Sequence, residues 1–374
     1  RPRAAQLLVA ALLFRFSAGL SAENNNNSNR PNNNNNNNTP LFQGPGYNFL
    51  PPPPMQPRGQ ELLEKMELES SIEPGLAKAP ASQIPNLLTA SVPLALRAAS
   101  GVFGLNYQLQ WIPRDDSKYA YVATQSSQLQ ETCFVSAKFQ GQQPIVLYDV
   151  ESDAQCRQVR EACSLLSLTL HVRPTPNNGI VFAKELQQDH GPQARAPFLV
   201  DPNSSISLSG TRPILNYLFA TYGTGPVPWP LNQAVQQPGG RGNTNNDAGP
   251  LTWSTLSSTL AVTVSRWGAG GTYQYSNPPP RTVDGQPALT LWAYEGSPYC
   301  KLVREVLSAL ELEHVLVYAP RGSPNRQRLW QQMGRFQVPF LTDDDTGVAL
   351  FESAAIIEYL QKQYGVAASP VKFM

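Results

Sequence analysis

The chain has 374 residues, with 28 Lys and Arg against 27 Asp and Glu for a net charge of +1. That length allows two or three domains with sizeable cores, and the charge balance gives no bulk electrostatic attraction for nucleic acid. Its 35 prolines and its asparagine runs mean that less of the chain folds than its length suggests.

Residues 1–22 begin with Arg1 and Arg3, run apolar from Leu7 to Phe14, and reach small residues at Ser17, Ala18 and Gly19. This is the pattern of a targeting or signal segment, with an unstructured tail as the alternative. Residues 23–86 carry asparagine runs at 24–27 and 32–38 and prolines at 51–54. The composition predicts an unstructured region, interrupted by a short amphipathic helix candidate at 61–68. Residues 87–140 form an apolar helix and connector. The apolar run at 87–105 is broken by Pro93 and Arg97, which leaves three readings: a helix packed beside a folded core, a membrane-surface helix, or a span. Domains are expected at 141–223 and 285–366. Between them, 224–284 reads as a Pro/Gly/Asn-rich linker with a second apolar helix, and 367–374 as a tail.

The two domains are copies. Glu151, Cys156, Val159, Arg160 and Glu161 recur 144 residues later as Glu295, Cys300, Val303, Arg304 and Glu305. Ala196-Pro-Phe-Leu199 recurs as Val338-Pro-Phe-Leu341, and Thr211–Gly223 recurs as Ser353–Gly365, both at an offset of 142. A match that holds its phase over about 80 residues is a duplication. A weaker echo, GLNYQ at 104–108 and GGTYQ at 270–274, follows an apolar stretch in each case. It suggests that the repeat unit includes a helix beside the α/β core.

Within the second copy the pattern predicts β-α-β-α-β-β-α: strands at 289–294, 314–318, 340–342 and 348–351, and helices at 298–310, 325–333 and 353–364. Leu302, Val303, Val306, Leu307 and Leu310 share a helical face. Asp344-Asp-Thr-Gly347 is a turn that makes the last strand pair antiparallel. The order is that of an α/β thioredoxin fold, twice over, each a mixed four-stranded sheet with flanking helices. Cys156 and Cys163 are seven apart on one predicted helix, roughly 10 Å by helical rise and too far to bridge. No Cys/His cluster has zinc spacing, so no metal site is expected.

Three segments of the second copy carry a family resemblance: Ser297-Pro-Tyr-Cys300, Val338-Pro339 and Glu352-Ser353. In this order they resemble the glutathione-binding N-terminal domain of glutathione transferases and, less closely, glutaredoxins. The tandem arrangement resembles two-module proteins of plant and algal chloroplasts, which implies a plastid location; the secretory pathway is the alternative. The resemblance implies glutathione as co-substrate and a transferase-like or thiol-linked activity. It makes Ser297 the hydroxyl beside the glutathione sulfur, although a plain helix N-cap is the competing reading. It implies a cis bond at Val338-Pro339, with the Val338 backbone pairing with the tripeptide. Glu352 and Ser353 would hold the γ-glutamyl ammonium and carboxylate, or else simply start a helix. Gln337 is the positional candidate for the glycyl carboxylate. Cys300 aligns with the resolving cysteine of glutaredoxins. With serine at 297 it has no internal disulfide to resolve, so it reads first as a packing residue.

The first copy departs at each point. Asp153 replaces Ser297, and Gly210 replaces Glu352, while Ala196-Pro197 keeps the turn and Thr211 still matches Ser353. It is expected to serve structure or a protein partner. No Cys-x-x-Cys occurs in the chain, which weakens a disulfide oxidoreductase reading. The rival to glutathione binding is a non-enzymatic scaffold of two inactive thioredoxin folds, associated with a membrane surface. Exposure of the apolar stretches would favour it.

Overall fold

The architecture is that of a computed structural model, which describes residues 56–66, 83–139, 143–235, 256, 257, 259, 266–277 and 286–366. The expected targeting segment at 1–22, the asparagine runs and the 367–374 tail lie outside the described residues. The first copy comprises β4 (Ile145–Asp149), α3 (Ala154–Leu165), β5 (Thr169–Pro174), α4 (Phe182–His190), β6 (Phe198–Asp201), β7 (Ile206–Ser209) and α5 (Thr211–Tyr222). The second comprises β8 (Leu289–Ala293), α6 (Pro298–Ala309), β9 (His314–Tyr318), α7 (Pro324–Met333), β10 (Phe340–Asp343), β11 (Val348–Phe351) and α8 (Ser353–Tyr364). This is the expected element order in both copies.

The two four-stranded sheets are not separate. They form one eight-stranded sheet in the order β11-β10-β8-β9-β5-β4-β6-β7. Strands β4 and β5 are parallel, as are β8 and β9; the seam between copies is an antiparallel β5–β9 pair with Leu170 opposite Leu316 and His171 opposite Val315. Each copy alone would leave one strand with a row of unpaired backbone groups beside apolar side chains. Pairing those two edges removes both. The main apolar core accordingly runs through both copies, from Leu147 and Val159 to Leu291, Val303 and Leu360. Smaller clusters on the opposite face sit under α4 (Phe182, Leu186) and α7 (Leu329).

The tyrosines of the last helices explain another part of the repeat. Asp201 accepts from Tyr217 at 2.6 Å and from Tyr222, and Asp343 accepts from Tyr359 at 2.5 Å and from Tyr364. Each pair ties the closing helix to the end of the β-hairpin. Charge-assisted bonds of this kind are worth about 1.5–3 kcal/mol each.

Segments outside the two copies refine the sequence reading. The helix candidate at 61–68 is present but starts four residues earlier, as Pro57–Lys65 (α1), and it is packed with Leu63 in the core rather than set in an unstructured region. Pro57 occupies its first turn, where no N–H is needed. It closes the β10–β11 hairpin: Gln56 N donates to Gly347 O at 3.1 Å and Arg58 Nε to Thr346 O at 3.1 Å. A Cβ on Gly59 would fall 2.4 Å from Gly347 O, so that approach requires glycine. Ile84–Leu96 (α2) packs on α6, as the packing-helix reading held. Among the described residues no helix is long and apolar enough to cross a membrane. The expected connector carries a three-stranded antiparallel sheet, β1 (Gln108–Pro113), β2 (Val122–Ala123) and β3 (Ser127–Thr132), in the order β1-β3-β2. The start of the expected linker is also folded, with Val227 and Leu231 buried in the main core.

Candidate functional site

The site segments meet because of strand register. Phe340 pairs with Trp292 on one side and Phe351 on the other. The loop after β8, the turn before β10 and the residue after β11 therefore emerge at one end of the sheet.

Ser297 caps α6, its Oγ accepting from Cys300 N at 3.3 Å, with Pro298 in the first turn. The helix start follows from this cap and from a proline whose missing N–H costs nothing there. Ser297 is only 4% exposed. Burial pushes the neighbouring Tyr294 phenol up to about 12, while Arg326 and a hydrogen bond with Ser297 oppose the shift. Cys300 is fully buried, and burial raises its thiol above the ordinary range. A buried, protonated thiol is a poor nucleophile.

The Val338-Pro339 peptide is cis, and so is Ala196-Pro197 in the first copy. A third cis bond, Trp229-Pro230, was not expected. Gln337 donates through Nε2 to the Glu352 carboxylate. Glu352 has φ 70°, a left-handed conformation that side chains rarely adopt, whereas its counterpart Gly210 has φ 84°. Ser353 opens α8 and is 2% exposed, its Oγ 3.5 Å from Gln83 Oε1. Thus Ser297, Gln337, Val338, Pro339, Glu352 and Ser353 sit at one end of the second copy, and Cys300 lies behind them in the core.

The first copy has the same backbone with different side chains. Asp153 caps α3, accepting from Gln155 N at 2.9 Å and Cys156 N at 2.8 Å. A carboxylate at that position disfavours a thiolate. Thr211 Oγ1 donates back to Gln155 O at 3.4 Å.

Sequence reasoning missed the residues that the small sheet and α7 bring to this end. Tyr119 N donates to Gln327 Oε1 at 2.5 Å, and its hydroxyl accepts from Arg326 Nη1 at 3.2 Å. The Tyr119 ring lies 5.1 Å from that of Phe336, just before the cis bond, and the Arg326 guanidinium lies 4.4 Å from the Phe336 ring and 5.7 Å from that of Tyr294. Nothing in the periodicity of 108–132 signalled this docking.

Also missed was the meaning of the repeated charges. Glu151 Oε1 accepts from Lys301 Nζ at 3.0 Å, and Glu151 Oε2 from Arg304 Nε at 3.1 Å. Reciprocally, Glu295 stands 3.3 Å from Arg157 Nη1 and 3.4 Å from Arg160 Nε. Arg97 and Arg266, at the two echoing turns, clamp Glu161 and Glu305 with closest contacts of 2.6 and 2.7 Å. All are buried at the joint between copies.

The model of the family described as "Glutathione S-transferase, N-terminal domain" matches residues 147–226 and again residues 291–368. Both copies of the duplicated α/β unit thus match the same family model, in tandem. No curated protein and no solved structure matches it.

Proposed function

We propose that the second transferase-type domain binds glutathione as a co-substrate and that the first does not. The observation that carries this reading is Glu352. It holds a carboxylate in a left-handed backbone conformation that costs of order 1 kcal/mol or more for a side chain, where the first copy uses glycine. A purely structural turn would be served better by glycine. In this reading Glu352 receives the γ-glutamyl ammonium, while Ser353 and the free N–H groups of α8 receive its carboxylate. The Val338 backbone pairs with the cysteinyl residue as an added strand, and Gln337 approaches the glycyl end. Ser297 donates to the sulfur at the N-terminus of α6, where the helix dipole favours a thiolate. Transfer of that thiolate to an electrophile is the activity this arrangement suits, with Tyr119, Tyr294, Arg326 and Phe336 at the same end. Admission of the tripeptide requires Gln83 to leave Ser353. Calorimetric titration of glutathione into the full chain tests the proposal, and no heat at millimolar ligand would sink it.

One observation favours a second reading, a scaffold that docks on a membrane surface. Helix α2 contains no charged residue and exposes Ile84, Leu88 and Val92 along one face. Trp267, 81% exposed, follows Arg266, which hydrogen-bonds Asn86 and Thr89 of that helix. Flotation of the full chain with neutral lipid vesicles decides this reading: a protein left entirely in the dense fraction contradicts it. A plastid location remains part of the proposal and is tested by import of the full-length precursor.

A further inference from the structure

The first copy has lost the recognition side chains but kept Glu151, Arg157, Arg160 and Glu161. Of these, Glu151, Arg157 and Arg160 face the other copy, and Glu161 holds Arg157 at 3.0 Å from within its own helix. Glu151 reaches across the joint to Lys301 and Arg304 on α6. Lys301 is in the first turn of that helix, and its backbone N–H donates to the Ser297 carbonyl at 3.0 Å. On the other side of Ser297, Glu295 is held by Arg157 and Arg160 of the first copy. The loop that presents Ser297 is therefore contacted by the first copy two residues before and four residues after it, with Arg304 of its own helix also on Glu295 at 3.0 Å. Gly101 fits against the same loop: a Cβ there would lie 2.8 Å from the Glu295 Cβ.

We propose that the first domain is retained as the brace of the second domain's site, with Glu151 a positioning residue that fixes the Ser297 loop through Lys301 and Arg304. This deepens the glutathione reading and rests on it. The charge arrangement supports the role. Burial alone would raise the Glu151 carboxyl, yet Arg160, Arg304 and Lys301 overcome burial and hold it well below the usual range. It is therefore ionised and fully committed to the joint. Such buried pairs add little net stability but fix geometry strongly, because any other arrangement strands a charge. A side chain that aligns a binding loop acts on affinity without touching ligand.

The test is Glu151→Gln in the full chain, with two readouts. Amide hydrogen exchange of Cys300 and Lys301 should quicken about tenfold or more relative to Leu218, a buried α5 residue distant in sequence from the loop. Glutathione affinity should fall about fivefold, and the thiol pKa of bound glutathione should rise. Adding Lys301→Met to Glu151→Gln should weaken binding little further, because both act on one contact. If exchange at Cys300 and Lys301 quickens no more than at Leu218, or if exchange quickens but affinity holds, Glu151 is merely structural and the proposal fails. Should the wild type bind no glutathione, the functional reading falls while the exchange comparison still decides the brace. Glu151→Asp, which keeps the charge but shortens the reach, replaces the glutamine variant if that one does not fold; the same exchange ratio is then read.

Discussion

Replacing His314 by glutamine isolates one acid-labile element of the joint. His314 is buried at the start of β9, beside a cavity lined by Asp149, Glu151, Arg160, Ser308 and Arg304. Its Nδ1 donates to Leu312 O at 3.0 Å, leaving Nε2 as the unprotonated nitrogen. Burial pushes its pKa down to about 4, assisted by His171 and Arg304 and opposed by the Leu312 carbonyl and Glu313. An unfolded histidine titrates near 6.5. Above that pH both states are neutral and His314 costs nothing. As pH falls from about 6.5 to about 4, only the unfolded chain takes up the proton, so stability is lost at about 1.4 kcal/mol per pH unit, reaching roughly 3 kcal/mol. Asp149 works in the opposite sense: burial raises it to about 6, opposed by Arg160. It takes up a proton in the folded state before the unfolded carboxyl does, and stability is gained as pH falls between about 6 and 4. The two contributions nearly cancel in the wild type, and His314→Gln removes only one of them. Urea melts at pH 7.5 and 4.5 should therefore show the variant gaining about 2–3 kcal/mol on the wild type between the two conditions. A gap between the two proteins that is the same at both pH values would refute the reasoning.

Two further outcomes follow from burial. Arg304→Met takes from Glu295 its closest cation and from Glu151 one of its two donors across the joint, while Lys301, Arg157 and Arg160 remain beside them, and it should destabilise the protein by about 1.5–3 kcal/mol in urea melts; a loss under 1 kcal/mol would mean that water reaches the joint. Cys300→Ala should leave glutathione affinity within a few-fold while costing roughly 1 kcal/mol of stability, and rapid alkylation of Cys300 in the native protein would contradict its reading as a packing residue.

The fold of each copy was legible because local signals agreed with one another. The alternation in Leu289–Ala293, the cap and proline at Ser297 and Pro298, and the turn at 344–347 each pointed to the element that formed. The left-handed backbone of Glu352 was not legible, because nothing in a Glu-Ser pair announces a positive φ. The seam was hidden for a different reason. The strand at 169–174 alternates Leu170 and Val172 with Thr169, His171 and Arg173, the pattern of a strand with one wet face, yet Thr169 and His171 are buried, and nothing in that alternation announces the edge pairing of Leu170 with Leu316. One signal was present and was read only as a mark of duplication. Arg160 and Arg304, with Glu151 and Glu295, repeat on helices and loops whose polar faces should need no particular charge. Charges that recur in register between two copies, when one copy has lost its site, are better read as partners of each other. The first strand of the small sheet alternates Gln108 and Gln110 with Leu109 and Trp111, but those apolar side chains face outward, so the alternation does not mark a core.

The most direct measurement is a calorimetric titration of glutathione into the full chain, run beside Glu352→Ala and Asp153→Ala. The account predicts binding to the wild type and to Asp153→Ala with equal affinity. It predicts a loss of about tenfold or more for Glu352→Ala, the equivalent of removing one charged hydrogen bond of roughly 1.5–3 kcal/mol. Equal binding by Glu352→Ala and the wild type, or a loss confined to Asp153→Ala, would place the site elsewhere and contradict the account.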